Sequence, residues 1–481
     1  MKLYKQVATA LCERIEQGYY QPGQKLPSIR ILSTEYDVSI STIQEAYRTL
    51  ERKGLIEARP KSGFYVLNRQ RTPNLPDVSR PVQRPLEVSH WEEVLNLLSN
   101  MYEPNVIQLS RAIPDLNAKS LIPLRKILSE LNRTAPIQTF SYEDLRGSDK
   151  LRIQLSRLMV DSGSLLHPDD IVTTTGCQEA LSVSLRAICT PGDIVAVDSP
   201  SFYGSMLSIK AHGLKTIEIP THPETGISLE ALELALDQWP IKALQLTPTC
   251  NNPLGYTMPD ENKQKLVALA ARYDLTIIED DIYGDLSYQY PRPRTIKSYD
   301  TDGRVMLCSS FSKTLAPGLR VGWVAPGRHL NQVVHMKYVS TACSATLPQL
   351  ALAEFIAQGG YERHVRKMRS RYQHSRDMMI DWVERYFPEG TRISYPQGGF
   401  LLWVELPADV DTAELNKRTT RKGVSLAPGI LFSASGKYRN CMRLNFTERP
   451  CIENEKAVEL IGQESKKLIS ELQGEKMAVF V

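Results

Sequence analysis

Leu3, Val7, Leu11 and Ile15 recur at four-residue steps, the period of one buried helix face, and Gly18 closes the segment. Gln21-Pro22-Gly23-Gln24-Lys25-Leu26-Pro27-Ser28 has the composition of a turn, with Ser28 placed to cap a short helix running to about Tyr36. Val38-Ser39 opens a third helix that Gly54 ends. Its Ile43, Ala46, Tyr47 and Leu50 face inward, and Ser39, Ser41, Gln44 and Arg48 form the opposite face. Leu55-Ile56-Glu57-Ala58 and Phe64-Tyr65-Val66 read as strands joined by the basic turn Arg59-Pro60-Lys61-Ser62-Gly63. Helix, helix-turn-helix and basic β-wing together suit a polar helix end in a major groove and a loop at the DNA backbone.

The pattern changes after residue 67. Four prolines between 68 and 85 describe an extended, semi-rigid connection. The expected division is a winged helix-turn-helix domain at 1–67, a linker at 68–88 and a large domain at 89–481. In the large domain, short apolar runs at 194–197, 243–246, 276–278 and 305–308 alternate with helical patterns. That alternation predicts βαβ units and a parallel sheet, an α/β fold.

Composition refines this picture in two places. The net charge of +4 is wholly accounted for by residues 1–70, which carry eleven Lys/Arg against seven Asp/Glu, so an anionic partner belongs there. Eight cysteines lie no closer than ten residues apart, and the histidines show no ligand spacing, so neither a disulfide framework nor a metal site is expected. No apolar run approaches the length of a membrane span and no signal core precedes the first helix, which points to the cytoplasm. The basic run Arg363-His364-Val365-Arg366-Lys367-Met368-Arg369-Ser370-Arg371 is expected to be a solvated helix face rather than a second DNA site.

Residues 18–66 resemble a GntR-type winged helix, through Leu26-Pro27-Ser28 with Arg30, Ser41-Thr42, Tyr47 with Leu50, Gly54-Leu55-Ile56 and Ser62-Gly63-Phe64. The resemblance implies DNA contact by Arg30, by the turn containing Ser39, Ser41, Thr42 and Gln44, and by the wing residues Lys61, Ser62 and Gly63. Helix capping is an equal reading for Ser39 and Ser41. Where some relatives carry arginines suited to guanine, this chain has Ile40 and Gln44, residue types that fit a thymine methyl and an adenine edge.

Candidate chemistry concentrates at Ser309-Ser310-Phe311-Ser312-Lys313-Thr314-Leu315-Ala316-Pro317-Gly318-Leu319-Arg320. A lysine with hydroxyls before it and an arginine seven residues later can hold a phosphorylated aldehyde as a Schiff base. Companion motifs follow the chain. Thr173-Thr174-Thr175-Gly176-Cys177 is a strand end opening a helix, a place where backbone N–H groups meet phosphate. Asp198-Ser199-Pro200-Ser201-Phe202 supplies a ring that could stack on a pyridine, Asn251-Asn252-Pro253 an amide, and Glu279-Asp280-Asp281-Ile282-Tyr283 a carboxylate for a pyridine nitrogen. Asp280 is the carboxylate of choice, Tyr283 its neighbour near the ring hydroxyl, and Asp281 is expected to face elsewhere.

These motifs resemble fold-type I aminotransferases across about residues 90–470. The resemblance implies pyridoxal 5'-phosphate (PLP) as cofactor, an aldimine with Lys313, and phosphate ligands Gly176, Cys177, Ser310, Ser312 and Arg320. It implies that Phe202, Asn252, Asp280 and Tyr283 surround the ring, that Tyr142 reaches a partner subunit's phosphate in a homodimer, and that Arg443 clamps a substrate carboxylate. Leu109-Ser110-Arg111-Ala112-Ile113-Pro114-Asp115 lacks the glycine of active relatives, and Arg111 either crowds the site or binds an anionic effector. The whole arrangement resembles the MocR subfamily of GntR regulators. It implies a DNA-binding transcriptional regulator that senses PLP or an amino-bearing effector. An aminotransferase carrying a DNA-binding domain, and a module sensing PLP by occupancy alone, are the alternatives.

Overall fold

The computed structural model describes residues 3–16, 19–20, 23–52, 55–59, 62–66, 74–88, 92, 94–95, 105–407 and 410–479. It divides into two compact units, Met1–Pro73 and Asn74–Val481. Gly18, Gly54 and Lys61 fall outside the described residues.

The first unit contains α1 (Leu3–Glu16), α2 (Ile29–Glu35), α3 (Ile40–Arg52), β1 (Ile56–Arg59) and β2 (Gly63–Val66). The helical stripe is buried at Val7, Leu11 and Ile15, whereas Leu3, at the end of α1, is exposed. Ser28 caps α2 by accepting from the Ile31 amide. Ile43, Ala46, Tyr47 and Leu50 of α3 are fully buried, as their spacing requires. β1 and β2 pair antiparallel. The Leu26 amide donates to Phe64 (2.8 Å) and the Val66 amide to Gln24 (2.9 Å), so the turn before α2 also rides on the wing. Tyr47 ties the parts together: its ring lies 4.5 Å from that of Phe64, and its hydroxyl donates to the Pro27 carbonyl at 2.6 Å.

The second unit is built on an eight-stranded sheet. In chain order its strands are β4 (Val172–Thr174), β5 (Ile194–Ser199), β6 (Lys215–His222), β7 (Gly226–Ile227), β8 (Ile241–Leu246), β9 (Thr276–Asp280), β10 (Val305–Ser310) and β11 (Gly322–Ala325). The two-residue strand β3 (Ile107–Gln108) lies outside that sheet and pairs with residues 424–425. The spatial order is β4-β11-β10-β9-β8-β5-β6-β7. The five strands from β10 to β6 are mutually parallel, and β11 runs against both its neighbours. The parallel strands are covered on both faces, which explains why they read as continuous apolar runs. A four-stranded antiparallel sheet follows, ordered β12 (Arg392–Ile393), β13 (Leu401–Glu405), β16 (Cys441–Asn445) and β15 (Ala427–Pro428), where β14 is Val424–Ser425.

Of the expected linker 68–88, residues 68–73 lie outside the described set. Residues 74–88 are hydrogen-bonded along the second unit, for example by two 2.8 Å bonds between Leu86 and Thr216. The basic run lies on the helix Gly360–Tyr386. Arg363, Arg366 and Lys367 are exposed, but Arg369 donates to the Asp285 carbonyl (2.6 Å) and Arg371 pairs with Asp115, so part of the run anchors the helix.

Because each unit has its own apolar cluster, a core deletion in one should spare the other. Leu11→Ala should destabilise the first unit by about 2–5 kcal/mol. Amide exchange resolved along the chain should then accelerate in α1 and α3 and stay unchanged in β5 and β9. Equal acceleration in both units would contradict separate cores.

Candidate functional site

The C-terminal ends of β4, β5, β8, β9 and β10 all reach one edge of the large sheet, the edge at which open α/β sheets place ligands. Gly176 and Cys177 follow β4, Phe202 follows β5, Asn252 follows β8, Asp280 ends β9, and Ser310 ends β10 just before Lys313. Arg443 comes from β16 of the smaller sheet.

Lys313 donates from Nζ to the Ala112 carbonyl at 2.7 Å. Burial lowers its amine to about 8, and the charge of Arg443 acts in the same direction while Asp280 opposes. Asp280 is buried and its carboxyl is pushed up to about 6, chiefly by desolvation. Its Oδ1 accepts from the Ile282 amide (3.1 Å) and from the Cys177 thiol (3.3 Å); its Oδ2 takes no hydrogen bond among the described residues. Burial and the neighbouring carboxylate hold the Cys177 thiol protonated, well above the usual thiol range. The Tyr283 hydroxyl is buried without a hydrogen-bond partner among the described residues.

Gly176 caps the helix Cys177–Ile188 with φ +88°. That backbone conformation favours glycine, and a Cβ there would stand 2.5 Å from the exposed Arg320 guanidinium, which would have to shift. Arg320 donates to the Thr175 carbonyl at 2.6 Å and stays exposed over this turn. The Ser312 amide donates to Ser310 Oγ (3.3 Å), and both serines are buried.

Arg443 is fully buried. It donates to Asn252 Oδ1 (3.1 Å) and to the Ser110 carbonyl (2.7 Å), and its guanidinium stands 5.7 Å from the Tyr203 ring centre and 5.1 Å from that of Phe432. Its Nε has no partner among the described residues. Phe202 stacks obliquely on Tyr203, with ring centres 4.8 Å apart.

Two sequence-derived candidates lie apart from this group. Tyr142 is 86% exposed, in a surface pocket with Thr341 and Ser344. Arg111 lines a cavity of about 440 Å³ with Asp115, Trp382 and Glu448, a cavity that Lys313 does not line. Successive carbonyls of residues 110–113 turn to alternate partners. The carbonyls of Ser110 and Ala112 meet Arg443 and Lys313, whereas those of Arg111 and Ile113 accept from Asn445 Nδ2. Backbone acceptors therefore meet the site without a glycine. Ser110 and Ala112 contribute carbonyls, which leave no mark in residue identity. Tyr203 joins the site beside Arg443, and Asp198 accepts from Asn251 Nδ2 (2.7 Å) and steadies the loop bearing Asn252; burial pushes the Asp198 carboxyl up to about 7.

In the first unit, Arg30, Ser41 and Gln44 are exposed. Ser39 Oγ accepts from the Thr42 amide at 3.2 Å and bonds the hydroxyls of Ser41 (2.9 Å) and Thr42 (2.8 Å), so Ser39 caps α3. In the wing, Gly63 is exposed at φ +112° and Ser62 Oγ bonds Tyr65 at 2.7 Å. Among the described residues no His/Cys/Asp/Glu group could hold a metal, and no helix is long and apolar enough to cross a membrane.

The fold and cleft define a helix-turn-helix protein fused to an aminotransferase-type domain. Residues 3–66 match the bacterial regulatory proteins of the gntR family, and residues 104–461 match aminotransferase class I and II. The chain is 52% identical to the uncharacterized HTH-type transcriptional regulator YjiR of Escherichia coli (strain K12), over 92% of this chain and 95% of that relative. The multiple substrate aminotransferase of Thermococcus profundus superposes with a TM-score of 0.73 at 30% identity, covering 79% of this chain and 96% of that one. The Pyrococcus horikoshii kynurenine aminotransferase, solved with PMP, gives 0.72 at 31%, covering 79% and 95%. The chain belongs to the HTH-type transcriptional regulators of the GntR family that carry an aminotransferase class I and II domain, the MocR arrangement.

The lowered amine of Lys313 gives a direct test. Aldehyde trapping at Lys313 in the ligand-free chain, with borohydride reduction and mass spectrometry, should rise with pH and level off above about 8. Asp280→Asn should move the midpoint lower, because the Asp280 charge raises the lysine. A profile still climbing at the ordinary lysine range would show that the amine is not held down.

Proposed function

We propose that the chain is a PLP-dependent, DNA-binding transcriptional regulator that senses PLP or an amino-bearing effector through Lys313. The observation that carries this reading is the half-buried Lys313 amine, bonded to the Ala112 carbonyl at 2.7 Å, lowered to about 8 and under the charge of Asp280, in a chain whose other unit is a GntR helix-turn-helix.

The polar groups fit PLP. The Gly176 turn beneath Arg320, with Ser310 and Ser312, forms a phosphate cradle at a helix N-terminus. Asp280 presents Oδ2 to a pyridine nitrogen, and the Tyr283 hydroxyl, which has no protein partner among the described residues, suits the ring hydroxyl. Phe202 supplies an aromatic face. When bound, PLP supplies an aldehyde that condenses with amines and a ring that withdraws electrons.

The chain's own residues do the rest. Lys313 offers an amine lowered to about 8, so that a larger fraction is neutral near physiological pH than for an ordinary lysine. Arg443 offers a buried guanidinium fork to a carboxylate, exchanging its bond to the Ser110 carbonyl for the ligand. An effector shifts DNA binding only by binding two arrangements of the protein unequally. A homodimer in which Tyr142 reaches the partner subunit's phosphate belongs to the same reading. Turnover as an aminotransferase is the second reading, favoured by the presence of Lys313, Asp280 and Arg443 in one cleft, and accumulation of amino acid from a 2-oxo acid would establish it.

PLP titration should produce an absorption band that Lys313→Ala abolishes, and one carboxylate-bearing amine should alter that band. Arg443→Lys should weaken the response to that amine by about tenfold or more, since a charged hydrogen-bond fork is lost. The absence of a Lys313-dependent band would overturn the sensor reading.

A further inference from the structure

The outer face of α3 carries information about which bases the first unit reads. Ile40, Gln44 and Arg48 follow one another at four-residue steps, with Ser41 beside them, and all four are exposed. Ser39 is engaged in capping and Thr42 is bonded to it. Ile40 is 49% exposed and lies outside the apolar cluster that holds Ile43, Ala46, Tyr47 and Leu50. An isoleucine on a polar face gains burial only against another apolar group, and the one apolar group on a base edge in the major groove is the thymine methyl. One turn further on, Gln44 presents the donor and acceptor that match adenine N6 and N7. We propose that α3 reads A·T pairs at adjacent positions of its half-site, Ile40 packing on a thymine methyl and Gln44 pairing with an adenine. This rests on the DNA-binding reading of the gntR-family unit.

The test begins with selection of binding sites from random duplex DNA by the full-length chain. Each thymine of the selected half-site is then replaced by uracil, which removes only the methyl. At one thymine the replacement should weaken binding by the parent chain about fourfold, the equivalent of one buried methyl-sized group. Ile40→Ala should bind thymine and uracil sites equally, and Gln44→Ala should lose preference at the neighbouring adenine. Specific binding that is indifferent to every uracil replacement, or a uracil loss that persists in Ile40→Ala, would overturn the proposal. No selected sequence at all would overturn the DNA-binding reading with it. The uracil series in the parent chain needs no variant to fold.

A second inference rests on separate observations. Residues 74–88, which lead from the segment joining the two units, are pinned to both sheets of the second unit. The Ile393 amide donates to the Asn74 carbonyl (2.8 Å), Asp77 pairs with Arg392, and the Asp77 amide donates to Glu405 (3.0 Å), all on the smaller sheet. Ser79 then accepts from the Thr221 amide (2.7 Å), and Leu86 and Thr216 exchange two bonds, all on the larger sheet. Lys313 follows a strand of the larger sheet and Arg443 lies on the smaller one. We infer that residues 74–88 form a strap that converts relative movement of the two sheets, on binding a ligand that spans Lys313 and Arg443, into a displacement of the chain at Asn74. This rests on the sensor reading.

The probe is N-(5'-phosphopyridoxyl)-L-leucine, which joins ring, phosphate and carboxylate in one non-reacting molecule. It should change amide exchange at Asp77, Ser79 and Leu86 and alter DNA affinity of the full chain. Arg392→Ala, a substitution at a partly exposed side chain, should leave probe affinity unchanged and abolish the change in DNA affinity. An undiminished DNA response in Arg392→Ala, or strap amides that ignore a bound probe, would overturn the strap. Failure of the probe to bind would overturn the sensor reading and the strap together.

Discussion

Two cationic side chains facing one cleft, Arg443 fully buried and Lys313 half-buried, set the terms for the second unit. The charge of Arg443 helps hold the Lys313 amine down, and Arg443, fully buried, could not be withdrawn from water without acceptors aimed at it. Asp280 supplies the opposite charge, and Asn252 and the carbonyls of Ser110 and Ala112 supply the acceptors. Five separate stretches of chain must therefore converge, the segment bearing Ser110 and Ala112 among them. The parallel sheet delivers three of them at its C-terminal edge, and the smaller sheet delivers Arg443 across from it. An interior that is costly to assemble around charge is also one that a charged ligand can complete.

The three successive carboxylates Glu279, Asp280 and Asp281 show how this edge separates function from support. Glu279 accepts from the Ile296 and Lys297 amides at 2.8 and 2.9 Å, and burial raises its carboxyl to about 7. Asp281 is bound bidentately by Arg292, which also pairs with Asp285. Asp280 alone, with one oxygen held by Ile282 and Cys177, faces Lys313 electrostatically. The alternation of a strand end sends neighbours to opposite sides, and two of the three carboxylates are consumed in holding loops.

In the first unit, the division of labour on α3 follows from helix phase. The buried stripe fixes the helix against the wing through Tyr47, and the cap uses Ser39. What remains outward is the exposed set Ile40, Ser41, Gln44 and Arg48. The large unit's basic helix shows the reverse case: arginines that resemble a binding face serve partly as struts, because Arg369 and Arg371 reach carbonyls and a carboxylate of neighbouring segments.

Period and punctuation alone determined much of this protein. Residues spaced four apart marked the buried faces of α1 and α3, continuous apolar runs marked β5, β8, β9 and β10, and the order of glycine, serine, lysine and arginine motifs marked the cleft, because each is a local property of the chain. The spacing of Asp280 and Tyr283 likewise leaves Asp281 to face elsewhere, and Arg292 holds it. Tertiary structure alone decided which way Arg111 points, that Ser110 and Ala112 contribute through their carbonyls, and that residues 74–88 are bonded to two sheets. Those outcomes depend on backbone groups and on partners hundreds of residues away, and a backbone carbonyl has the same identity at every position in a sequence.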